Sequence, residues 1–513
     1  MPRAKPGSSR EIVALKVSQW LREWSKVIFD DKSHRRRPDP HFYLFTLPAS
    51  ELKALSGIQR RTIAEGLPRS RDLGIQRRHD EQRSEEISKF IRYGYPWSDL
   101  SEAKRKFGKF GDLRKPGWLP TAIVVNILKP GDKRRGREVA KEDLITIDDS
   151  NGQTAVIRLP EGFTSPDWRP SQLHPIELID GQHRLWAFED LTLRGDFELP
   201  IVAFHGLDIS WQAYLFWTIN IKPKRINASL AFDLYPLLRT EDWLERFEGH
   251  SIYRETRAQE LTEALWAHPE SPWYHRINML GEPGLRRKMV SQAAWIRSLM
   301  ATYVKSWEGR RVSIGGLFGA PMGADEEVLP WSRAEQAAFL LLVWQQVERA
   351  VTNCELTWTK WLRETEEEGE AGRDLAFAGP HTLLNTDQGV RGVLYVTNDL
   401  CYIQAKDLAL MEWGSSEDAA ASDEAAVTRA LKSLDTQNRV VEFLQKIADS
   451  LAKYDWRTAS APGLSDDEKT RKLAFRGSGG YKELRRQLLH HLPDEPGDVG
   501  RASRAVLKAL GYD

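Results

Sequence analysis

The 513-residue sequence predicts an α/β protein, with a mixed-sheet domain in its first half and a large helical domain in its second. Three observations carry that prediction. Pro175 to Phe188 runs from apolar residues through Asp180-Gly181 straight into a helical pattern, which reads as strand, tight turn and helix. Trp118 to Leu128 and Leu199 to His205 are nearly unbroken apolar runs, as strands covered on both faces require. From about residue 240 the texture changes to long helical periodicities separated by loops.

Composition narrows the function classes. No stretch of 18 apolar residues and no signal-peptide pattern occurs, so a soluble, cytoplasmic protein without a membrane partner is expected. Cys354 and Cys401 form no ligand spacing, and HExxH and CxxC are absent, which argues against structural zinc. A hard cation escorted by a nucleotide, such as Mg2+, stays compatible. The formal net charge is only +1, yet residues 1–140 hold 31 Lys and Arg against 17 Asp and Glu. That asymmetry suggests a polyanion such as DNA, although a solvated charged face explains part of it.

In chain order, residues 1–40 read as a basic helical N-terminal arm. Its first ten residues form a tail, Ile12 to Phe29 is close to helical spacing, and Arg35, Arg36 and Arg37 lie in a loop able to meet phosphate. Residues 41–235 form the sheet domain. Phe42 to Leu47 is a strand, a helix starts at Glu51, and Asp80 to Tyr93 is a helix with Ile87, Phe90 and Ile91 inward. Lys104, Arg105 and Lys106 before Phe107 suit single-stranded nucleic acid or a solvated helix end. Asp143 to Leu159 resembles a hairpin turning at Asp149 to Gly152. His205 ends the Leu199 strand, and a helix covers Trp211 to Asn220. Asn220, Lys224, Arg225 and Asn227 then cluster around Pro223, and another helix runs from Ala228 to Leu238.

Residues 236–513 form the helical domain, with the strongest periodicity over Met289 to Trp307 and Ser332 to Trp361. Gly315 to Ala324 lacks the ending of a P-loop and reads as a connector. Asn385 to Gly392 is a turn-to-helix junction, and a helix starts at Ala425. Ser478-Gly479-Gly480 reads as a turn before a helix, either an anion nest or a plain flexible turn.

Chemistry concentrates at Asp180-Gly181-Gln182-His183-Arg184. Asp180 can hold a metal or orient water, Gln182 can bond base, ribose or phosphate, His183 can move a proton, and Arg184 can grip phosphate with two hydrogen bonds. Gly181 permits the sharp turn that presents the helix N-terminus. Spacing alone leaves open a simpler role as turn and cap.

This segment resembles the signature of the DGQHR-domain proteins, relatives of the ParB and sulfiredoxin nucleotide-binding fold. Gly181, Arg184 and Ala187 keep the G-x-x-R-x-x-A spacing of ParB, while Gln182 stands where sulfiredoxin has its cysteine nucleophile. The resemblance implies a ParB/sulfiredoxin-like mixed-sheet domain binding ATP or another nucleoside triphosphate with Mg2+. It adds Gln76 and Arg77 before the Asp80 helix, and Asn220, Lys224 and Arg225 after the motif, as nucleotide or DNA contacts. It makes Asp180, His183 and Arg184 the catalytic set, with Asp180 as metal ligand. Family members belong to bacterial DNA-modification and phage-defence clusters. The two roles implied are a nucleotide-hydrolysing component like that of 7-deazaguanine insertion, and a non-enzymatic DNA-binding regulator like that of phosphorothioation, each working with DNA and with other proteins of its cluster. The full motif favours hydrolysis, and no helix-turn-helix pattern supports the regulator.

Overall fold

The computed structural model describes residues 10–30, 36–57, 81–95, 97–100, 102, 105, 114–134, 136–165, 167–189, 197–220, 227–233, 251–282, 289–305, 314–319, 328–364, 373–414, 419–475, 477–492 and 497–512. The protein is mixed α/β and divides into two compact units, Met1–Lys224 and Arg225–Asp513.

The first unit is built on one eight-stranded mixed sheet. Its strands are β1 (Glu11–Ser18), β2 (His41–Pro48), β3 (Ser56–Gly57), β4 (Ile123–Ile127), β5 (Thr146–Asp148), β6 (Thr154–Arg158), β7 (Ile176–Asp180) and β8 (Glu198–His205). They lie in the order β3-β7-β4-β8-β2-β1-β6-β5, parallel where β3 meets β7 and where β4 meets β8, and antiparallel elsewhere.

β1 corrects the expected helical arm. Ile12 to Phe29 mimics helical spacing because both faces of β1 carry apolar residues: Ala14 is buried while Val13 and Leu15 are exposed. Pairing with β2 on one side and β6 on the other decides the outcome, so cross-strand packing overrides the local pattern. Only Arg22–Lys26 forms a short 3-10 turn, and residues 11–18 belong to the sheet rather than to a separate arm.

Other strands follow the apolar runs. β4 is shorter than its run, since Pro120 lacks a backbone donor and Trp118 is largely exposed. β5 and β6 form the expected hairpin. One face of the sheet packs Leu47, Val125, Ile157, Leu178 and Ile201 with Leu52 of α1 (Ala49–Leu55) and Leu185 of α3 (Gln182–Trp186). Helix α2 (Glu81–Tyr93) lies where its pattern predicts, with Ile91 buried and Ile87 and Phe90 partly covered.

The opposite face holds a buried charge. Glu177 of β7 is 3% exposed and accepts from Arg134 Nε at 2.6 Å and Nη2 at 2.8 Å. Its Oε2 also accepts from Asn126 of β4 at 3.1 Å and from Gln212 of α4 (Ile209–Asn220) at 2.8 Å. Asn126 in turn accepts from the Leu207 backbone amide at 2.8 Å. One carboxylate thus fastens two strands, a turn and a helix.

In the second unit, the described helices are α5 (Ala228–Asp233), α6 (Ser251–Ala267), α7 (Gln292–Ala301), α8 (Arg333–Thr352), α9 (Thr357–Arg363), α10 (Leu375–Ala378), α11 (Asp387–Ile403), α12 (Glu424–Asp435), α13 (Asn438–Ala452), α14 (Asp466–Leu473), α15 (Gly477–His491) and α16 (Asp498–Leu510). A parallel pair, β9 (Ile277–Asn278) and β10 (Val290–Ser291), accompanies them. The expected boundary at residue 235 lies inside this unit, because Ser229 of α5 accepts from the Ala293 amide of α7. α8 begins at a Ser332–Glu335 capping box, and its Trp344 meets Trp273 and Trp295 edge-on at 5.1 and 5.5 Å in the core. Ser332 to Trp361 is therefore two helices, broken after Thr352. Ser478-Gly479-Gly480 is the first turn of α15 rather than a turn before it. Among the described residues no helix is long and apolar enough to cross a membrane.

Glu177→Leu leaves Arg134, Asn126 and Gln212 without their common acceptor. It is expected to destabilise the first unit by about 3–5 kcal/mol, the usual cost of removing one partner of a buried ion pair, read as the shift in its denaturant midpoint.

Candidate functional site

Three stretches converge where β7 ends. β7 delivers Asp180, Gly181 turns the chain with φ 96°, and α3 begins at Gln182. A Cβ at Gly181 would lie 2.5 Å from Ile123 Cδ1, so both conformation and space call for glycine. α3 has only five residues, so it carries little of the cooperative dipole expected of a longer helix start. Side chains must therefore supply most of any ligand binding.

Asp180 and Arg184 are already paired. Arg184 Nη2 donates to Asp180 Oδ2 at 2.7 Å, while Nη1 donates to the carbonyls of Thr121 at 2.6 Å and Ala122 at 3.1 Å. The guanidinium thereby ties α3 to the segment entering β4. Its pKa is lowered by burial and, less strongly, by the charge of Arg83, with Asp180 opposing both. Asp180 is thus the carboxylate that Arg184 meets, with a second guanidinium near enough to act on it.

Asn220, at the end of α4, donates its amide to Asp180 Oδ1 at 3.2 Å, although 40 residues separate the two. His183 Nδ1 lies 3.5 Å from the Ser84 hydroxyl of α2, at the limit of a hydrogen bond. Gln182 is buried, and among the described residues its Nε2 has no hydrogen-bond partner. Gln76, Arg77, Lys224 and Arg225 lie outside the described residues, as do Arg35, Lys104 and Lys106.

No protein-family model, curated protein or solved structure matches the chain at a significant level.

The oxygen donors at Asp180 are of the kind that a hard cation such as magnesium takes. Asp180 and the amide oxygen of Asn220 are hard donors, and Mg2+ commonly takes one or two such groups and fills its shell with water and phosphate. Among the described residues, no group of three His, Cys, Asp or Glu is placed to hold a metal.

His205 stands away from this cluster. It pairs across from Ile127, which also faces Ile176 at the start of β7, whereas Asp180 ends that strand beside Val124. His205 therefore marks the opposite end of β4. Arg36 and Arg105, nominated for nucleic acid, are committed within the chain. Arg36 donates to Asp132 at 2.7 Å and to the Gly206 carbonyl at 2.6 Å, and Arg105 lies over the Tyr93 ring and donates to the Leu100 carbonyl.

Sequence reasoning missed Glu177, Asn126, Gln212 and Ser84. A signal existed for Glu177, the one charge inside the apolar run Ile176 to Ile179. Asn126 likewise interrupts β4, but nothing local identifies their partners.

Burial and the nearby Lys129 push the His205 pKa down from 6.5 to about 4. The unfolded chain therefore binds the proton more readily between those values, so stability should fall as pH drops from about 6.5 to about 4. Thermal midpoints across that window should show the loss, and His205→Gln should flatten it.

Proposed function

We propose that the first unit is a ParB-like nucleotide-binding domain that takes a nucleoside triphosphate with magnesium at the Asp180 cluster. In this reading it hydrolyses the nucleotide slowly, in the cytoplasm, as part of a bacterial DNA-modification or phage-defence system. The observation that carries the reading is the meeting of Asp180, Arg184 and Asn220 at the end of a buried strand, with Arg83, His183 and Ser84 beside them. The DGQHR resemblance supplies the ligand class.

Arg184 would exchange Asp180 for a phosphate oxygen, a trade between two bidentate-capable anions. Asp180, kept in place by Asn220, would then be free to hold the cation or orient the attacking water. Bound magnesium would supply charge neutralisation on the phosphates. His183 would accept or return a proton, with the Ser84 hydroxyl 3.5 Å from its ring nitrogen. The regulator alternative needs a free basic reader, and the internal commitments of Arg36 and Arg105 weigh against those two as its contacts. DNA and other proteins of the same system remain partners in either reading.

Nucleotide affinity and phosphate release should be measured for all four triphosphates with magnesium, with and without DNA. Arg184→Ala is expected to lose roughly 10- to 100-fold in affinity, matching about 1.5–3 kcal/mol for a hydrogen bond to a charged group. Asp180→Asn should lower turnover more than binding, and His183→Gln should lower turnover by roughly 100-fold. Absence of binding and cleavage with every triphosphate would refute the reading. Equal small losses in all three variants would leave the motif as scaffold.

A further inference from the structure

An aromatic pocket in the first unit shares no residue with the Asp180 cluster. It has a volume of about 300 Å3 and is walled by Trp20, Trp24, Phe42, Phe204, Trp211 and Tyr214. That volume lies at the small end of ligand cavities. Trp24 and Tyr214 are about half exposed at the mouth, and Leu207 is buried.

Two pairs of the wall rings meet at right angles, while Phe42 and Phe204 lie 5.5 Å apart, tilted at 46°. Trp20 and Trp24 are 5.7 Å apart at 86°, and Trp211 and Tyr214 are 6.3 Å apart at 87°. Rings set at right angles can both touch one compact, rounded group.

Two of the indole donors on the pocket wall are already engaged. Trp20 Nε1 is spent on Ser25 Oγ at 3.0 Å, and Trp211 Nε1 on the Arg36 carbonyl at 3.0 Å. Asp39 also lines the pocket, and its Oδ2 accepts from Lys129 at 2.9 Å. His41 on the same wall is held toward its neutral form by burial and by Lys16. The protein already sets a cation against one of these rings, since the Arg37 guanidinium lies 5.6 Å from the Trp20 centroid. Ring faces carry negative quadrupole charge, and a cation desolvated among several of them gains more than a neutral group of equal size.

We propose that this aromatic pocket binds an alkylated ammonium cation, a quaternary or trimethylated nitrogen. The nitrogen would sit among the rings with Asp39 as its counter-charge. The ligand is either a free small molecule or a methylated lysine side chain, which present the same head group.

The test is calorimetric titration of the full-length protein with choline, with its neutral isostere in which carbon replaces the ammonium nitrogen, and with peptides carrying trimethylated or unmodified lysine. At least one cation should bind, on the order of tenfold more tightly than its uncharged or unmethylated counterpart. Preference for choline or for the methylated peptide assigns the source, and either supports the proposal. Trp24→Leu and Tyr214→Leu should each weaken binding several-fold without moving the unfolding midpoint, because both side chains are about half exposed. Equal binding of choline and its isostere would overturn the proposal, as would no saturable binding of either cation, or unchanged affinity in both variants. The isostere comparison uses the unaltered protein and stands even if a variant folds poorly. Loss of nucleotide hydrolysis in Asp180→Asn, with choline binding intact, would separate this site from the first.

Discussion

The first unit depends on a single buried carboxylate. Glu177 sits where water is excluded, and a charge there is tolerable only because Arg134, Asn126 and Gln212 all donate to it. Each donor comes from a different element, so satisfying the charge also orders the elements around it. Fully satisfied polar networks of this kind select one arrangement of strands and helix over near alternatives.

The same anchoring sets the geometry at the end of β7. From Glu177 to Asp180 the strand advances by roughly 10 Å. From Gln212 to Asn220 the helix advances by about 12 Å. Because Gln212 is fixed to Glu177, and the helix runs in the direction of the strand, Asn220 arrives beside Asp180 with little left to chance. The contact between two segments distant in sequence follows from two elements of matched reach. In the second unit, burial of aromatic rings does comparable work: Trp273, Trp295 and Trp344 interlock at its centre, and Arg485 neutralises the buried Asp399 at 2.8 Å.

Much of this layout was legible in residues. The strand, turn and helix around Gly181 followed from an apolar run ending at Asp-Gly, and β8, α2 and the β5–β6 hairpin followed from periodicity and turn chemistry. β1 was not legible, because its outward Val13 and Leu15 gave it apolar residues on both faces and erased the alternation of a half-buried strand. The break between α8 and α9 carries no strong local signal, because Cys354 and Leu356 continue the apolar residues across it. The cluster's residues were visible as types, but not the pairing of Arg184 with Asp180, nor the carbonyls of Thr121 and Ala122, which only tertiary folding brings near.

The margins of the sheet carry a consequence of their own. Among the described residues its outermost strands, β3 and β5, are two and three residues long, while the eight-residue strands β1, β2 and β8 lie inside. A foreign strand approaching the β5 margin meets few unpaired amides and carbonyls, too short a template to hold it in register. The long, apolar segments that would make the most adhesive borders are enclosed between neighbours, and the fold thereby guards itself against growing edge to edge into fibres.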